Sequence, residues 1–232
     1  MKMTPRKNKN RGFSLAELMV GMTVFSLAVS SSASFLYQSV NIFLYDVGKL
    51  LVNRDIRSFT GHLTNEATYA NYFVIVPAFA DVSREDDDLY DESDPDQGYE
   101  DAVDDISVND GEVGDCLILV YKDEDDDTKI SKITCYYRAP DDPDDEESLG
   151  PVRRFSIDVT PSSSRSLWEL MPEIDDVSES SEVIELSAGI ASGKLFYNFY
   201  DRSVMVKGEI IHEGNAFRRA SNTYNFTVSP RG

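Results

Sequence analysis

Glu17 is a lone carboxylate at the start of a long apolar stretch, and its position raises the first chemical question about this chain. The next charged residue is Asp46, so 28 consecutive residues between them carry no charge. An ionised carboxylate in an apolar environment is costly unless a partner neutralises it. No Lys or Arg follows Glu17 until Lys49. The sequence therefore predicts that Glu17 needs a partner that the apolar stretch does not supply.

Cys116 and Cys135 are the two cysteines of the chain, and their chemistry depends on whether they meet. Both lie in candidate strands, Cys116–Lys122 and Lys129–Arg138, which a short acidic turn separates. A hairpin centred on that turn, residues 123–128, places Cys116 directly opposite Cys135. Opposed residues of antiparallel strands have Cβ atoms about 4.5–5.5 Å apart, so this register predicts a disulfide. A shift of one residue in the turn would separate the pair, and two reduced, buried thiols remain the alternative.

Three segments are dense in acidic side chains, and they raise the question of a cation site. Residues 81–115 contain 16 acids and one base, and the shorter segments are Asp141–Glu147 and Glu173–Glu185. Runs of like charge repel one another and usually stay solvated, so we interpret these segments as mobile insertions. The alternative is calcium, which prefers oxygen ligands. The candidate ligands are Asp123, Asp125 and Asp127. EF-hand spacing is absent from the sequence, and we expect no resident cofactor.

The overall composition excludes several classes of function. The chain has 232 residues, 22 basic and 42 acidic side chains, and a formal charge of −20. Proteins that bind nucleic acid contact phosphates with clustered Lys and Arg, so this polyanion is a poor candidate. His62 and His212 lie 150 residues apart and, with the two cysteines, give no zinc-ligand spacing. The sequence contains no nucleophile motif or Gly-rich phosphate loop, so we expect no catalytic residues and no enzyme.

The element that must position Glu17 begins with a basic amino terminus. Residues 2–11 contain five basic side chains and no acid, and the apolar stretch starts at Phe13. About 20 apolar residues cross a bilayer as a helix, so the uncharged stretch is long enough to span one. The basic cluster should stay cytoplasmic, which sends everything after about residue 40 outward. A signal peptide cleaved near Ser30–Ser34 and a plain uncleaved anchor both fit this pattern, but neither explains Glu17.

The residues around Glu17 carry a more specific pattern. The string RGFSLAELMV, residues 11–20, resembles the class III signal of type IV pilins and type II secretion pseudopilins. The resemblance consists of a basic leader, a glycine, a phenylalanine, a glutamate four residues later and then a long apolar stretch. It implies that a prepilin peptidase cuts after Gly12 and that Phe13 becomes an N-methylated amino terminus.

The same resemblance supplies a partner for Glu17. Cleavage creates an ammonium group at Phe13, and residues four apart share one face of a helix. The Glu17 carboxylate can pair with its own terminus or with that of a neighbouring subunit, and the resemblance implies that the second contact registers subunits during assembly. Loss of the five basic residues of the leader would change the formal charge from −20 to −25. The exported part is therefore expected to be strongly acidic.

Beyond the membrane segment, the sequence predicts a long helix followed by β structure. Apolar residues step by three or four from Leu36 through Val40, Phe43 and Val47 to Leu51, and again from Phe59 to Ala67, which continues the helix to about Asn71. Short runs rich in Val, Ile, Tyr and Phe then predict strands. The candidate strands are Tyr72–Val76, Cys116–Lys122, Lys129–Arg138, Val152–Val159, Lys194–Tyr200, Ser203–His212 and Tyr224–Val228. We expect an α+β, pilin-like fold with one antiparallel sheet packed on the long helix.

A looser likeness connects the rest of the chain with the larger minor subunits, the J-type pseudopilin and its pilus counterpart. They share a Gly-Asp-x-Leu strand, here Gly114–Leu117, and an ending of a strand plus arginine, here Phe226–Arg231. Major pilins often close a loop near the carboxyl terminus with two cysteines, whereas 97 residues follow Cys135. Many of them also have a helix-kinking proline where this chain has Ser34. These differences favour a minor subunit.

The expected organisation has four parts. They are a cleaved basic leader (1–12), a transmembrane and assembly helix (13–45), its amphipathic continuation (46–71) and an exported acidic head (72–232). The resemblance implies a structural subunit of a type IV pilus or type II secretion pseudopilus, anchored in the bacterial inner membrane with its head in the periplasm. Its expected partners are the prepilin peptidase and other pilin or pseudopilin subunits, without nucleic acid. The alternative is a bitopic or secreted acidic domain that never enters a filament, with or without bound calcium.

Overall fold

A computed structural model of the chain describes residues 14–79, 107–142, 148–172, 177, 184–187, 189–212 and 219–230. Its contacts divide the chain into two units, Met1–Asp46 and Val47–Gly232. Helix α1, Leu15–Tyr69, contributes its first part to one unit and its second part to the other. The predicted long helix is confirmed, with each end two residues inside the expected bounds.

The part of α1 in the first unit has no buried residue between Leu15 and Asp46. Its large apolar side chains are exposed, and Phe25 and Leu27 are 70 % and 72 % exposed. The predicted apolar stripe begins in this part of the helix, where Leu36, Val40 and Phe43 are 63 %, 55 % and 66 % exposed.

The part of α1 in the second unit has one buried stripe, which confirms the amphipathic pattern predicted from Phe59 to Ala67. The stripe steps by three or four residues and therefore lies on one helix face. Its members are Val52, Asp55, Phe59, Leu63 and Ala67. Gly48 lets this segment approach the sheet closely, because a Cβ at that position would lie 2.9 Å from the Cβ of Ala220.

The described strands of the second unit form two antiparallel sheets. The first sheet has the order β1-β3-β4-β5-β6, and the second has the order β10-β9-β8-β2 with β7 also paired to β9. The strands are β1 (Tyr72–Val76), β2 (Val113–Gly114), β3 (Cys116–Lys122), β4 (Ile130–Arg138), β5 (Val152–Ser163), β6 (Ile184–Glu185), β7 (Ile190–Ser192), β8 (Phe196–Phe199), β9 (Ser203–His212) and β10 (Ala220–Val228). A short helix, α2 (Leu167–Leu170), follows β5.

The expectation of a single sheet is therefore wrong, and the change of sheet occurs at one residue. β2 pairs with β8 of the second sheet, whereas β3 pairs with β1 and β4 of the first. Only Asp115 separates β2 from β3. A strand pattern in the sequence reports that a segment is extended, but its partner is chosen by contacts between distant parts of the chain.

Asp115 is buried and holds the two sheets together. Its Oδ2 accepts hydrogen bonds from Nε and Nη2 of Arg138 at 2.9 and 2.6 Å, and its Oδ1 accepts one from the N–H of Leu195 at 3.2 Å. Burial raises the pKa of the Asp115 carboxyl, and the Arg138 guanidinium opposes that shift. The preceding Gly114 has no room for a side chain, because a Cβ would lie 2.2 Å from the carbonyl oxygen of Val76.

Phe59 connects α1 with both sheets. Its ring centroid lies 6.2 Å from that of Tyr136 on β4, and 5.9 and 6.0 Å from those of Tyr224 and Phe226 on β10. Aromatic pairs in this distance range add to the stabilisation that burial alone provides. The Phe59 side chain is fully buried. The second part of α1 is therefore an integral element of the head.

Candidate functional site at the amino-terminal helix

The predicted processing site lies outside the described residues. Gly12 and Phe13 precede Ser14, which is the first described residue, and α1 begins at Leu15. The N–H of Leu18 donates to the carbonyl oxygen of Ser14 at 3.1 Å, the first hydrogen bond of the helix. The structure therefore shows the element that follows the predicted cut, namely a helix that starts at once.

Glu17 forms a reciprocal cap with Ser14 at the start of this helix. The N–H and hydroxyl of Ser14 donate to Oε2 of Glu17 at 2.9 and 3.0 Å, and the N–H of Glu17 lies 3.2 Å from the Ser14 hydroxyl oxygen. This is a capping box, whose sequence signature is Ser-x-x-Glu. The signature was present in the sequence, but our interpretation of Glu17 considered only the Phe13 ammonium as partner.

The cap also gives an electrostatic reason for a carboxylate at this position. The first N–H groups of a helix have no intrahelical acceptor, and their partial positive charge favours an anion. Both Ser14 donors use Oε2, and no described residue donates to Oε1. The Glu17 carboxylate is thus held at the helix start and keeps an oxygen for a further donor.

Four hydroxyl groups within the apolar part of α1, those of Thr23, Ser26, Ser31 and Ser32, bond to carbonyls of the helix itself. Thr23 Oγ1 donates to the carbonyl of Val20 at 2.8 Å, and Ser26 Oγ donates to that of Met22 at 2.8 Å. Ser32 Oγ makes the same kind of bond to Ala28 at 2.9 Å. A hydroxyl that bonds to a preceding carbonyl leaves no unsatisfied polar group exposed. A lipid environment requires this, because it offers no hydrogen-bond partner.

By length and composition α1 is capable of crossing a membrane, and it is the one such helix in the described part of the chain. None of the residues in an apolar stretch of 18 residues within this helix is buried. Burial of large apolar side chains is strongly favourable, so an exposed apolar surface of this extent calls for a lipid or protein partner.

In the second unit, polar contacts fix α1 to the sheets. Glu66 accepts hydrogen bonds from Arg154, with Nε at 3.0 Å, and from the hydroxyl of Tyr136. Burial and the Glu66 carboxylate raise the pKa of Tyr136, and they raise that of Tyr121 to about 12. The ring of His212 lies 2.8 Å from a carboxylate oxygen of Asp55. These groups bond to one another and therefore hold the helix in place.

The two cysteines meet, but not in the predicted register. Cys116 is opposite Tyr137 and Ile118 is opposite Cys135, two residues away from the expected pairing. The pairing of the hairpin is irregular at Tyr121–Lys122, and no residue pattern in the sequence predicts this irregularity. Cys116 and Cys135 are therefore diagonal neighbours on one face, with their sulfur atoms 3.2 Å apart and the thiols free. The predicted disulfide is not tested by this geometry and stays a prediction.

The acidic turn between β3 and β4 is organised by internal hydrogen bonds. Asp123 Oδ1 accepts from the N–H of Asp125 at 2.9 Å, and Asp126 pairs with Lys129 at 2.8 Å. Within the described residues, no group of three or more His, Cys, Asp and Glu side chains is placed to hold a metal ion. The calcium ligands proposed at Asp123, Asp125 and Asp127 stay a prediction.

The last part of the acidic segment 81–115 is folded rather than a mobile insertion. Asp110 Oδ1 accepts the N–H of Tyr200 at 2.6 Å, and Asp115 joins the two sheets. The segment Asp141–Glu147 is described only at its first two residues, and Glu173–Glu185 only at Val177 and at β6. Residues 81–106 and the rest of both shorter segments lie outside the described residues.

Comparison with known proteins bears on the amino-terminal part of the chain. Residues 7–33 match the family model of the prokaryotic N-terminal methylation motif. No significant match was found among curated proteins or among solved structures. The matched residues include Gly12, Phe13, Ser14 and Glu17 and extend into α1 as far as residue 33. The chain therefore carries the prokaryotic N-terminal methylation motif, the class III signal of type IV pilins and pseudopilins, on a long apolar helix followed by antiparallel sheets.

Proposed function

We propose that this chain is a minor pilin or pseudopilin, a structural subunit of a type IV pilus or type II secretion pseudopilus. The observation that carries the proposal is the methylation motif at residues 7–33, followed by an apolar helix segment that its own chain leaves unburied. The motif marks a substrate of prepilin peptidase. The helix gives the processed chain a surface for lipid before assembly and for neighbouring helices after it.

The contrast in burial supports an intermolecular role for the first part of α1. The head has a core of its own, in which Ile118, Ile133 and Phe155 are at most 1 % exposed. Its stability therefore does not depend on the exposed side chains of residues 15–44. In this proposal those side chains contact the hydrocarbon of the inner membrane before assembly, and they contact other subunits once the protein is in a filament.

Glu17 registers the subunit at the start of the helix. The capping box with Ser14 orients the carboxylate through Oε2, and none of the described residues donates to Oε1, which can accept from another donor. The N-methylated ammonium at Phe13 of a neighbouring subunit is that donor. In a medium of low dielectric constant an unpaired carboxylate or ammonium group is costly. The incoming helix is therefore most stable at the axial position that brings the two groups together.

In this proposal the subunit needs no active site. Pilin-type filaments are moved by a separate ATPase, and two buried or half-buried ion pairs of the head serve its structure. Asp115 with Arg138 and Glu66 with Arg154 are both ion pairs that join structural elements. The acidic head, exported to the periplasm, supplies surface rather than catalysis.

The mature amino terminus tests this function. Full-length protein is expressed in a host with a prepilin peptidase, extracted from the membrane and examined by intact mass and amino-terminal sequencing. The expected chain begins at N-methylated Phe13. A chain that begins near residue 35, or one that is uncut, would instead support an exported acidic domain that does not assemble.

A further inference from the structure

The side chains of Cys116 and Cys135 lie on the same face of the β3–β4 hairpin. Cys135 is opposite Ile118, which places it one diagonal step from Cys116. Diagonal neighbours on adjacent strands lie on the same face but farther apart than directly opposed residues, so the contact between these two short side chains is shown by their sulfur atoms. Their sulfur atoms are 3.2 Å apart, so a further approach of about 1 Å reaches the length of a disulfide bond.

Both sulfur atoms are in the interior of the head. Cys116 and Cys135 are 0 % exposed and pack in one apolar cluster with Val76, Ile118 and Phe155. Burial, with the neighbouring Cys116 as a second cause, raises the pKa of the Cys135 thiol well above its usual value. The thiolate is the species that reacts, and it must meet its oxidant directly. In the folded head the Cys135 thiolate is disfavoured, and burial keeps both sulfur atoms from meeting an oxidant.

We infer that Cys116 and Cys135 form a disulfide while the exported head folds, before the core closes over the hairpin. The inference rests on the proposed function only for the export of the head to an oxidising compartment, where disulfides persist. The oxidant is a dithiol–disulfide oxidase of that compartment. One cysteine thiolate attacks its disulfide and releases one thiol of the oxidase. The second cysteine then attacks the mixed disulfide, which leaves the protein disulfide and the reduced oxidase, with two electrons and two protons transferred.

The bond closes the loop that contains the acidic turn. Residues 123–127 are five consecutive acids, whose mutual repulsion opposes the approach of β3 and β4. The hairpin has an irregularity at the end next to this turn. A cross-link at the other end of β3 fixes the pairing of the two strands. For a loop of this size the expected gain in the folding equilibrium constant is on the order of 100-fold.

The first test counts free thiols in the full-length protein. Membrane-extracted protein is denatured and alkylated with and without reductant, and the labels are counted by mass. We expect none without reductant and two with it. Two labels without reductant would overturn the inference. The Cys116→Ser variant is the control, with one label under both conditions, and an unlabelled Cys135 in that variant would also overturn it.

The second test examines the order of events. Reduced full-length protein is refolded in detergent, freed of reductant and exposed to oxidised glutathione, alone and in denaturant. We expect the folded protein to oxidise at least 100-fold more slowly than the denatured one, because its thiols are buried. Equal rates would contradict oxidation before closure of the core.

The mass of the amino terminus, measured in the same samples, separates this inference from the proposed function. A disulfide in an uncut chain leaves the inference standing and removes the pilin-type processing. Two free thiols in a chain that begins at methylated Phe13 overturn the inference and leave the pilin-type processing standing.

Discussion

The two parts of helix α1 are similar in type of residue and opposite in use. Phe35 in the first part is 69 % exposed, whereas Phe59 in the second is 0 % exposed. Both lie in one uninterrupted helix, Leu15–Tyr69. The difference comes from the surroundings, since Phe59 packs against rings of both sheets. An apolar residue in a helix thus needs a partner, but its type does not say whether that partner lies in the same chain.

The polar residues repeat this contrast. In the first part, Thr23 and Ser26 bond to carbonyls of their own helix, so their hydroxyls require nothing from outside. In the second part, Asp55 and Glu66 bond to His212 and Arg154 in the sheets. In the first part these hydroxyls thus bond within the helix while the apolar surface is exposed, as expected of an intermolecular element. The second part is tied to the head by both kinds of contact.

The largest expected effect is the loss of processing at the amino terminus without any change in the head. Gly12→Asp should abolish processing, because the peptidase is expected to require a small residue before the cut. The uncut chain should accumulate in the membrane with an unaltered head. Immunoblotting of membrane fractions measures the processed fraction, and Gly21→Ala, at a helix position with nothing within 4 Å of a new Cβ, is the control. Mature-sized protein from Gly12→Asp would refute the assigned cut.

The same truncation in the two parts of α1 should give opposite stability results. Phe59→Ala removes a fully buried ring between two sheets and should lower the free energy of unfolding of the head by about 3–5 kcal/mol. Phe43→Ala removes a ring that is 66 % exposed and should leave it unchanged. Denaturant titration in detergent, followed by the fluorescence of Trp168 in the head, measures the stability of both variants. Similar losses for the two variants would break the contrast.

A glutamate in each part allows a sharper comparison. Glu17→Ala should leave processing intact and the head stable but strongly impair assembly, since loss of a buried charge partner costs on the order of 3 kcal/mol. Glu66→Ala should lower head stability by roughly 2 kcal/mol, because Arg154 and Tyr136 lose their acceptor. Subunit incorporation into sheared filaments and denaturant titration are the two measurements.

The variant Ser14→Ala is the matched control for Glu17. It removes the capping hydroxyl and should cost the helix start about 1 kcal/mol while the carboxylate remains. We expect a milder assembly defect than that of Glu17→Ala. Wild-type incorporation of Glu17→Ala would contradict the role given to this residue.

The smallest effect concerns the acidic turn of the head. Hydrogen bonds from Lys129 and Thr128 lower the pKa of Asp126 from 3.8 to about 2. A carboxylate whose pKa is lowered by folding stabilises the folded state at pH values above its pKa in the unfolded chain. This contribution disappears as the pH falls through its pKa in the folded protein. The stability difference between wild type and Asp126→Asn should therefore be constant above pH 5, shrink between pH 5 and pH 2 and vanish only below pH 2. Because the turn is exposed, the effect is small. Thermal unfolding at a series of pH values measures it, and a difference that grows on acidification would contradict the sign.

The sequence by itself determined what depends on neighbours along the chain. The motif around Gly12 and Glu17, the long helix, and strands such as Tyr72–Val76 and Ser203–His212 follow from local spacing and residue type. These features are local because capping, helix periodicity and strand propensity act over a few residues. The Ser14 cap belongs to the same class and was predictable from its Ser-x-x-Glu spacing.

Only the tertiary structure decided which elements meet. Asp115 sends adjacent strands into different sheets, and the diagonal placement of Cys116 and Cys135 follows from an irregularity near Tyr121. It also decided that Phe43 stays exposed while Phe59 is buried. The physical reason is that strand pairing and burial are set by contacts between residues far apart in the chain, each worth little alone and decisive only in sum.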